Sequence, residues 1–200
     1  MSIEELNILF GEHPELAAVR KELAHRDAHV LLSGLHASAR ALALAHIAKP
    51  LFVIFDNAEA AQYFYSDLRS LTTKAVGPAS PVGEVGFFPA AKKRRAVDDA
   101  AQIQRTETLT TMPRIIVTYP EAVAEAVPAR EELSAISFQV KTGQTIQQTT
   151  LGQQLADLGF ERVDFVYAPG QYAIRGGIVD IYSYSHDAPY RLDFFGDEID

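Results

Sequence analysis

The chain has 200 residues, 18 of them basic and 26 acidic, with a formal net charge of −8 at neutral pH. Hydrophobic residues make up 48% and charged residues 22%, which excludes collagen-like, mucin-like and disordered classes. The acidic balance disfavours broad nonspecific binding to phosphate backbones, and the absence of cysteine removes disulfide frameworks, thiolate metal sites and cysteine nucleophiles together.

The same absence is compatible with a reducing cytoplasm. No apolar run approaches the roughly 18 residues of a membrane span. The opening Met1-Ser2-Ile3-Glu4-Glu5 lacks the basic-then-apolar order of a signal peptide. A cytoplasmic protein with no membrane partner is expected, of a length that allows one large domain or two small ones.

Ser2 and Glu5 have the spacing of a capping box, which predicts a short helix to about Phe10. Pro14 suits the first turn of a second helix, and Leu16, Val19 and Leu23 give that helix one apolar stripe. Ala28–Leu32 is a short apolar run that predicts a buried strand. A loop over Ser33–Ser38 leads into an Ala/Leu-rich helix ending near Lys49-Pro50. Leu51–Phe55 predicts a second buried strand, and Asp56-Asn57 offers the cap of a helix through Leu68. Glu84–Phe88 predicts a third strand, Val97–Met112 a helix, Arg114–Thr118 a fourth strand and Pro120–Val127 a further helix. Apolar strands alternating with helices predict a parallel sheet covered on both faces.

The pattern then changes. Ser137–Lys141 predicts a strand and Leu151–Leu158 a helix ending at Gly159. Val163–Tyr167, Tyr172–Arg175, Gly177–Tyr182 and Tyr190–Phe195 predict strands, separated by turn signals at Pro169-Gly170, Gly176-Gly177 and Asp187–Pro189. Their spacing predicts an antiparallel meander. The fold class is α/β: a parallel-sheet subdomain over residues 1–130, then a small α+β domain with a mainly antiparallel sheet over 131–200. Tyr190–Asp200 reads as a strand, a turn and the start of another strand, which predicts a piece of a longer protein.

The most useful local feature is Leu31-Leu32-Ser33-Gly34-Leu35-His36-Ala37-Ser38-Ala39-Arg40-Ala41, which follows the first predicted strand and opens a helix. A P-loop occupies that position, with glycine, four residues, then Gly-Lys-Ser/Thr. In register, Gly34 fits the first glycine, but Ala39 replaces the second, Arg40 the lysine and Ala41 the hydroxyl residue. Alanine resists a positive φ, the arginine fork is bulkier than an ammonium, and Ala41 has no oxygen for Mg²⁺. Three of the four key positions fail, so the loop reads as an ordinary tight strand-to-helix connection, in a degenerate RecA/P-loop-like subdomain, that binds nothing, with a weak anion site as the alternative.

The stretches Tyr167–Tyr182 and Tyr190–Asp200 resemble the UvrB-homology region of bacterial transcription-repair coupling factors (the Mfd family). The degenerate loop at Gly34–Ala41 fits this, because UvrB carries an intact P-loop there and the Mfd family does not. Phe52–Tyr65 is similar to the strand and helix that follow the P-loop in UvrB. The resemblance is strongest over Leu155–Asp200 and weakest over Ser70–Ala96. In that weaker stretch UvrB has a tyrosine-bearing hairpin that clamps DNA, whereas this chain has only Gly86-Phe87-Phe88-Pro89 and a basic loop.

The resemblance implies a UvrB domain 1a-like subdomain followed by a UvrB domain 2-like, UvrA-binding domain. It implies a non-catalytic fragment that recruits UvrA to a stalled RNA polymerase in nucleotide excision repair. ATP and Mg²⁺ would belong only to the C-terminal motor of the parent, an ATP-dependent DNA translocase, with no cofactor in this fragment. RNA polymerase and DNA would bind other domains of the parent, and its C-terminal domain would mask the UvrA surface at rest. By position, Arg162 and Arg175 match arginines of the UvrA-binding surface, and Tyr182 lies near an apolar contact. Arginine suits such a surface, since its fork pairs bidentately with carboxylates, and Arg and Tyr are enriched at interface hot spots. Alternation places Arg175 opposite Ile174, an exposed arginine beside a buried isoleucine.

Lys92-Lys93-Arg94-Arg95 is a candidate contact for DNA phosphates or an acidic partner, though Asp98-Asp99 follow at once and partly cancel its field. Gly176-Gly177 fits a bulge or a close backbone approach. Asp193, Asp197, Glu198 and Asp200 lack the spacing of a calcium loop, and no metal is expected there. His25 and His29 straddle Asp27 without a third ligand. The rival reading from another class is a nucleotide- and DNA-binding, helicase-type ATPase fragment resembling UvrB. Ala39-Arg40-Ala41 discriminates against it.

Overall fold

The computed structural model of the chain describes residues 3–74, 85–91, 99–135, 137, 139–186 and 188–200. In chain order the first elements are α1 (Ile3–Gly11), α2 (Pro14–Glu22), α3 (Ala39–Ala45), β1 (Leu51–Ile54), α4 (Ala58–Lys74), β2 (Val85–Phe87), α5 (Asp99–Thr111), β3 (Ile115–Thr118) and α6 (Pro120–Val123). There follow α7 (Arg130–Ala135), α8 (Gln148–Asp157), β4 (Glu161–Arg162), β5 (Gln171–Arg175), β6 (Ile178–Tyr182), β7 (Tyr190–Phe195) and β8 (Glu198–Ile199). The chain divides into two compact units, Met1–Pro89 with Thr111–Val123, and Ala90–Thr110 with Ala124–Asp200.

The first unit is built on a three-stranded parallel sheet in the order β1-β3-β2. Its central strand is the most buried, and Ile115 and Val117 are fully buried there. Thr118 is buried too, and its hydroxyl donates to the Phe88 carbonyl at 2.8 Å, so the core holds no orphaned oxygen at that point. Helix α4 packs against β2 and β3 and sends Ala61, Phe64 and Leu68 into the core at helical spacing.

Local chemistry fixes the helix ends. The His13 ring accepts from the Glu15 N–H at 3.3 Å, ahead of Pro14 at the start of α2. The Asn57 carbonyl oxygen accepts from the Ala60 N–H at 2.9 Å, the cap expected for α4. At the far end of α3, the Arg114 guanidinium donates to the carbonyls of Ala45 (3.4 Å) and Ile47, a cation placed where helix carbonyls run out of partners.

Several expectations fail in this unit. Ala28–Leu32 forms no strand. Its apolar residues lack a ladder partner, and Leu31 is 92% exposed. A strand needs a neighbour as well as an apolar composition. Among the described residues β1 pairs with β3 alone and is an edge strand, and Phe52 and Ile54 on one of its faces are exposed. The sheet is therefore not covered on both faces at β1. Helix α3 stops at Ala45 and α6 at Val123, short of the expected ends near Lys49 and Val127. The Ser2 cap lies outside the described residues.

The second unit holds a five-stranded mixed sheet in the order β4-β5-β6-β7-β8. Strands β5 to β8 are antiparallel neighbours, the expected meander, while β4 runs parallel to β5. Leu151 and Leu155 of α8 bury against Tyr172, Val179 and Ile181, with Ile174, Leu192 and Phe194 packed around them. Those strand residues sit two apart and define the inner face. The turn between β5 and β6 needs Gly176 at φ +58, and a Cβ on Gly177 would stand 3.1 Å from the Phe194 carbonyl oxygen.

Here too the structure corrects two segments. Val163–Tyr167 is not a strand, because pairing falls two residues earlier on Glu161–Arg162 and only the Val163 N–H continues it, to the Tyr172 carbonyl at 2.9 Å. The described part of Ser137–Lys141 is not a strand either. The edge beyond β8 is met instead by residues 143–146, with a bridge between Thr145 and Glu198.

Candidate functional site

Of the places singled out by the sequence, two lie among the described residues, one in each unit. In the first, Gly34 has φ +78 and Ala37 has φ +48, so the positive dihedrals fall before Ala39, which opens α3. The Ala39 N–H donates to the His36 carbonyl at 3.0 Å. The Ser38 hydroxyl donates to an Asp67 carboxylate oxygen at 2.7 Å, placing a negative charge beside the loop. Arg40 leans over the Phe55 ring, 5.8 Å from its centre, and Ala41 is fully buried. A phosphate there would meet a carboxylate, and position 41, where a P-loop carries its Mg²⁺-binding hydroxyl, holds a buried methyl.

In the second unit, alternation sends Gln171, Ala173 and Arg175 of β5, Asp180 and Tyr182 of β6, and Arg191 of β7 to the face opposite the core. Register puts Ala173, Asp180 and Arg191 in one row across the three strands. Arg191 grips the Asp180 carboxylate side-on, Nε to one oxygen at 2.7 Å and Nη2 to the other at 3.0 Å. Arg175 donates to the same carboxylate from its Nη2. These bonds, Arg191 first, hold the Asp180 carboxyl below the ordinary carboxylate range against the opposing effect of burial.

Arg175 also lies over the Phe165 ring, 4.7 Å from its centre. Arg162, Val163, Asp164, Phe165, Ile174 and Arg175 line a shallow hollow of about 470 Å³. Arg162 is exposed and shares its register with Tyr172, so it reaches the hollow from β4 while Arg175 reaches it from the outer face of β5. Phe165 is exposed, and Tyr167 is 81% exposed. The loop carrying them is tied down by Gln171, whose side-chain oxygen accepts from the N–H groups of Tyr167 (3.0 Å) and Ala168 (3.1 Å). Tyr182 is half-buried on the same outer face, opposite Gln171. Two arginine forks beside exposed aromatic rings are chemically equipped to pair with carboxylates and bury apolar surface on a partner.

The structure therefore brings Arg162 and Arg175 to one hollow and leaves Tyr182 further along the face. Sequence reasoning missed Asp180, Arg191 and Phe165. The available signal was an aspartate in the middle of the apolar run Ile178–Tyr182. Lys92, Lys93, Arg94 and Arg95 lie outside the described residues. Among the described residues, no group of three or more His, Asp or Glu side chains could hold a metal ion, and no helix is long and apolar enough to cross a membrane.

Residues 138–200 match the UvrB interaction domain family. The matched segment contains the whole five-stranded sheet and α8. The chain is also 30% identical over 178 residues to the transcription-repair-coupling factor of Bacillus subtilis, covering 85% of this chain and 15% of that protein. It is 37% identical over 93 residues to the Escherichia coli protein of the same name, covering 46% of this chain and 8% of that protein. With the UvrABC system protein B of Streptococcus uberis it shares 30% identity over 106 residues, 52% of this chain and 16% of that protein. The chain thus spans less than a fifth of the length of each of these relatives. The resemblance to the UvrB-homology region of transcription-repair coupling factors stands on these similarities.

Proposed function

We propose that this chain is a non-catalytic recruitment module of a transcription-repair coupling factor. It presents its strand-rich unit to UvrA and so brings nucleotide excision repair to a stalled RNA polymerase. The observation that carries this reading is the match of residues 138–200 to the UvrB interaction domain. The cluster of Arg162, Arg175 and Phe165 at one hollow of that unit, with the exposed Tyr167 on the same loop as Phe165, supports it, since arginine and aromatic groups dominate the energetics of interfaces. The work of the module is interface formation. In this reading residues 1–130 are a RecA/P-loop-like scaffold that no longer binds nucleotide, and residues 131–200 contact UvrA. RNA polymerase, DNA, ATP and Mg²⁺ engage other parts of a longer parent translocase, whose C-terminal domain covers the UvrA surface at rest.

Sedimentation of the purified chain mixed with purified UvrA tests the reading. A boundary faster than UvrA alone is expected, and two independent boundaries would exclude it. The competing ATPase reading requires nucleotide at the Gly34–Ala41 loop. Against it stand the buried methyl of Ala41, the Asp67 carboxylate at Ser38 and the stacking of Arg40 on Phe55.

A further inference from the structure

We infer that Asp180 is a positioning residue: gripped by Arg191, it turns the Arg175 guanidinium onto Phe165 and presets it for an acidic group of the partner. The inference rests on the recruitment reading and deepens it. An aspartate is out of place in the middle of a strand, and its residue is only 7% exposed. Burial of a carboxylate is unfavourable unless it is paired, and here two guanidinium groups pair it.

The register explains how both arginines reach it. Arg191 sits directly opposite Asp180 on β7. On the other side stands Ala173, whose methyl leaves the space beside Asp180 open. Arg175, two residues further along β5, reaches back diagonally into that space, the usual second-neighbour contact on one face of a sheet. A larger residue at 173 would close this route.

The conformation of Arg175 is not explained by the needs of its own donors. Its Nε is buried with no hydrogen-bond partner, an unfavourable state for a donor. Asp180 and Phe165 therefore set the orientation, one from the edge of the guanidinium plane and one from its face. A long side chain fixed before binding loses less freedom when the partner arrives.

The test uses the whole 200-residue chain with Asp180→Asn, which keeps the shape and removes the charge. Nuclear magnetic resonance follows the Arg175 Hδ protons, which the Phe165 ring shifts upfield in the wild type. UvrA affinity is measured in parallel for Asp180→Asn, Arg175→Ala and the double variant. The expected result is loss of the ring shift in a folded Asp180→Asn chain and about tenfold weaker UvrA binding. In the Arg175→Ala background the same change should have less than about a twofold effect. A ring shift that persists in folded Asp180→Asn, or equal losses in both backgrounds, would overturn the inference. If Asp180→Asn does not fold, Arg191→Gln takes its place in the resonance experiment, and an unchanged ring shift there is equally fatal. If the wild-type chain does not bind UvrA, the recruitment reading fails, and the ring shift alone still decides whether Asp180 positions Arg175.

Discussion

The guanidinium carbon of Arg175 lies 4.7 Å from the centre of the Phe165 ring, within cation–π range. The two residues come from different segments, the loop after β4 and the end of β5. Their contact closes one side of the hollow that also holds Arg162. Replacing Phe165 by Ala removes an exposed ring and one cation–π contact, about 0.5–1 kcal/mol at such a site. Urea unfolding of Phe165→Ala should therefore shift little, while its UvrA affinity should fall severalfold. A large loss of stability with unchanged affinity would assign the ring to the fold.

Stability should depend on pH through Asp180. The Arg191 and Arg175 guanidinium groups, Arg191 first, hold its carboxyl below the ordinary aspartate range in the folded chain. The stabilisation from that lowering is complete above the ordinary carboxylate range and is lost as pH falls through the lowered folded value. Wild type should thus exceed Asp180→Asn in urea midpoint at neutral pH, by about 1–2 kcal/mol given how exposed the two arginines are. The difference should shrink as pH drops below about 4. A constant difference across that range would contradict the pairing.

Gly170 has φ +83, and a Cβ there would stand 2.7 Å from the Tyr184 hydroxyl. Its N–H and carbonyl are both committed, to the Tyr182 carbonyl at 2.7 Å and the Glu161 N–H at 2.8 Å. Gly170→Ala should therefore destabilise the strand-rich unit by about 1–3 kcal/mol, seen as a lower thermal midpoint.

Leu155 is almost fully buried between α8 and the sheet. Leu155→Ala should lose about 2–5 kcal/mol of stability in urea, from lost transfer energy and the cavity left behind. UvrA binding should disappear together with the fold of this unit as denaturant rises, and survival of binding after unfolding would place the contact elsewhere.

Millimolar MgATP should leave the thermal midpoint of the chain unchanged, because a ligand that binds the folded state must raise it. A rise that Arg40→Ala abolishes would restore the ATPase reading.

Much of the second unit is legible in the sequence. Tyr190–Phe195 is a strand with the expected bounds, and Gly176 supplies the turn that its position announces. There the alternation of inner and outer residues agrees with the turn chemistry on either side. Ala28–Leu32 misleads because its apolar composition carries no information on whether a neighbouring strand is present to pair with it. Val163–Tyr167 misleads because apolar residues attract the prediction, while the ladder forms on the charged pair Glu161 and Arg162. In the candidate site, Arg162 and Arg175 are found through family resemblance and residue chemistry. Asp180 and Arg191 are not, since their pairing depends on a register between β6 and β7 that no local pattern encodes.

The most direct test of the central claim is calorimetric titration of UvrA into the purified chain, beside an Arg162→Ala/Arg175→Ala double variant of unchanged circular dichroism. The account predicts saturable heat with the wild type and its loss in the double variant. Equal binding by both would contradict the placement of the surface, and no binding by the wild type would contradict the recruitment function itself.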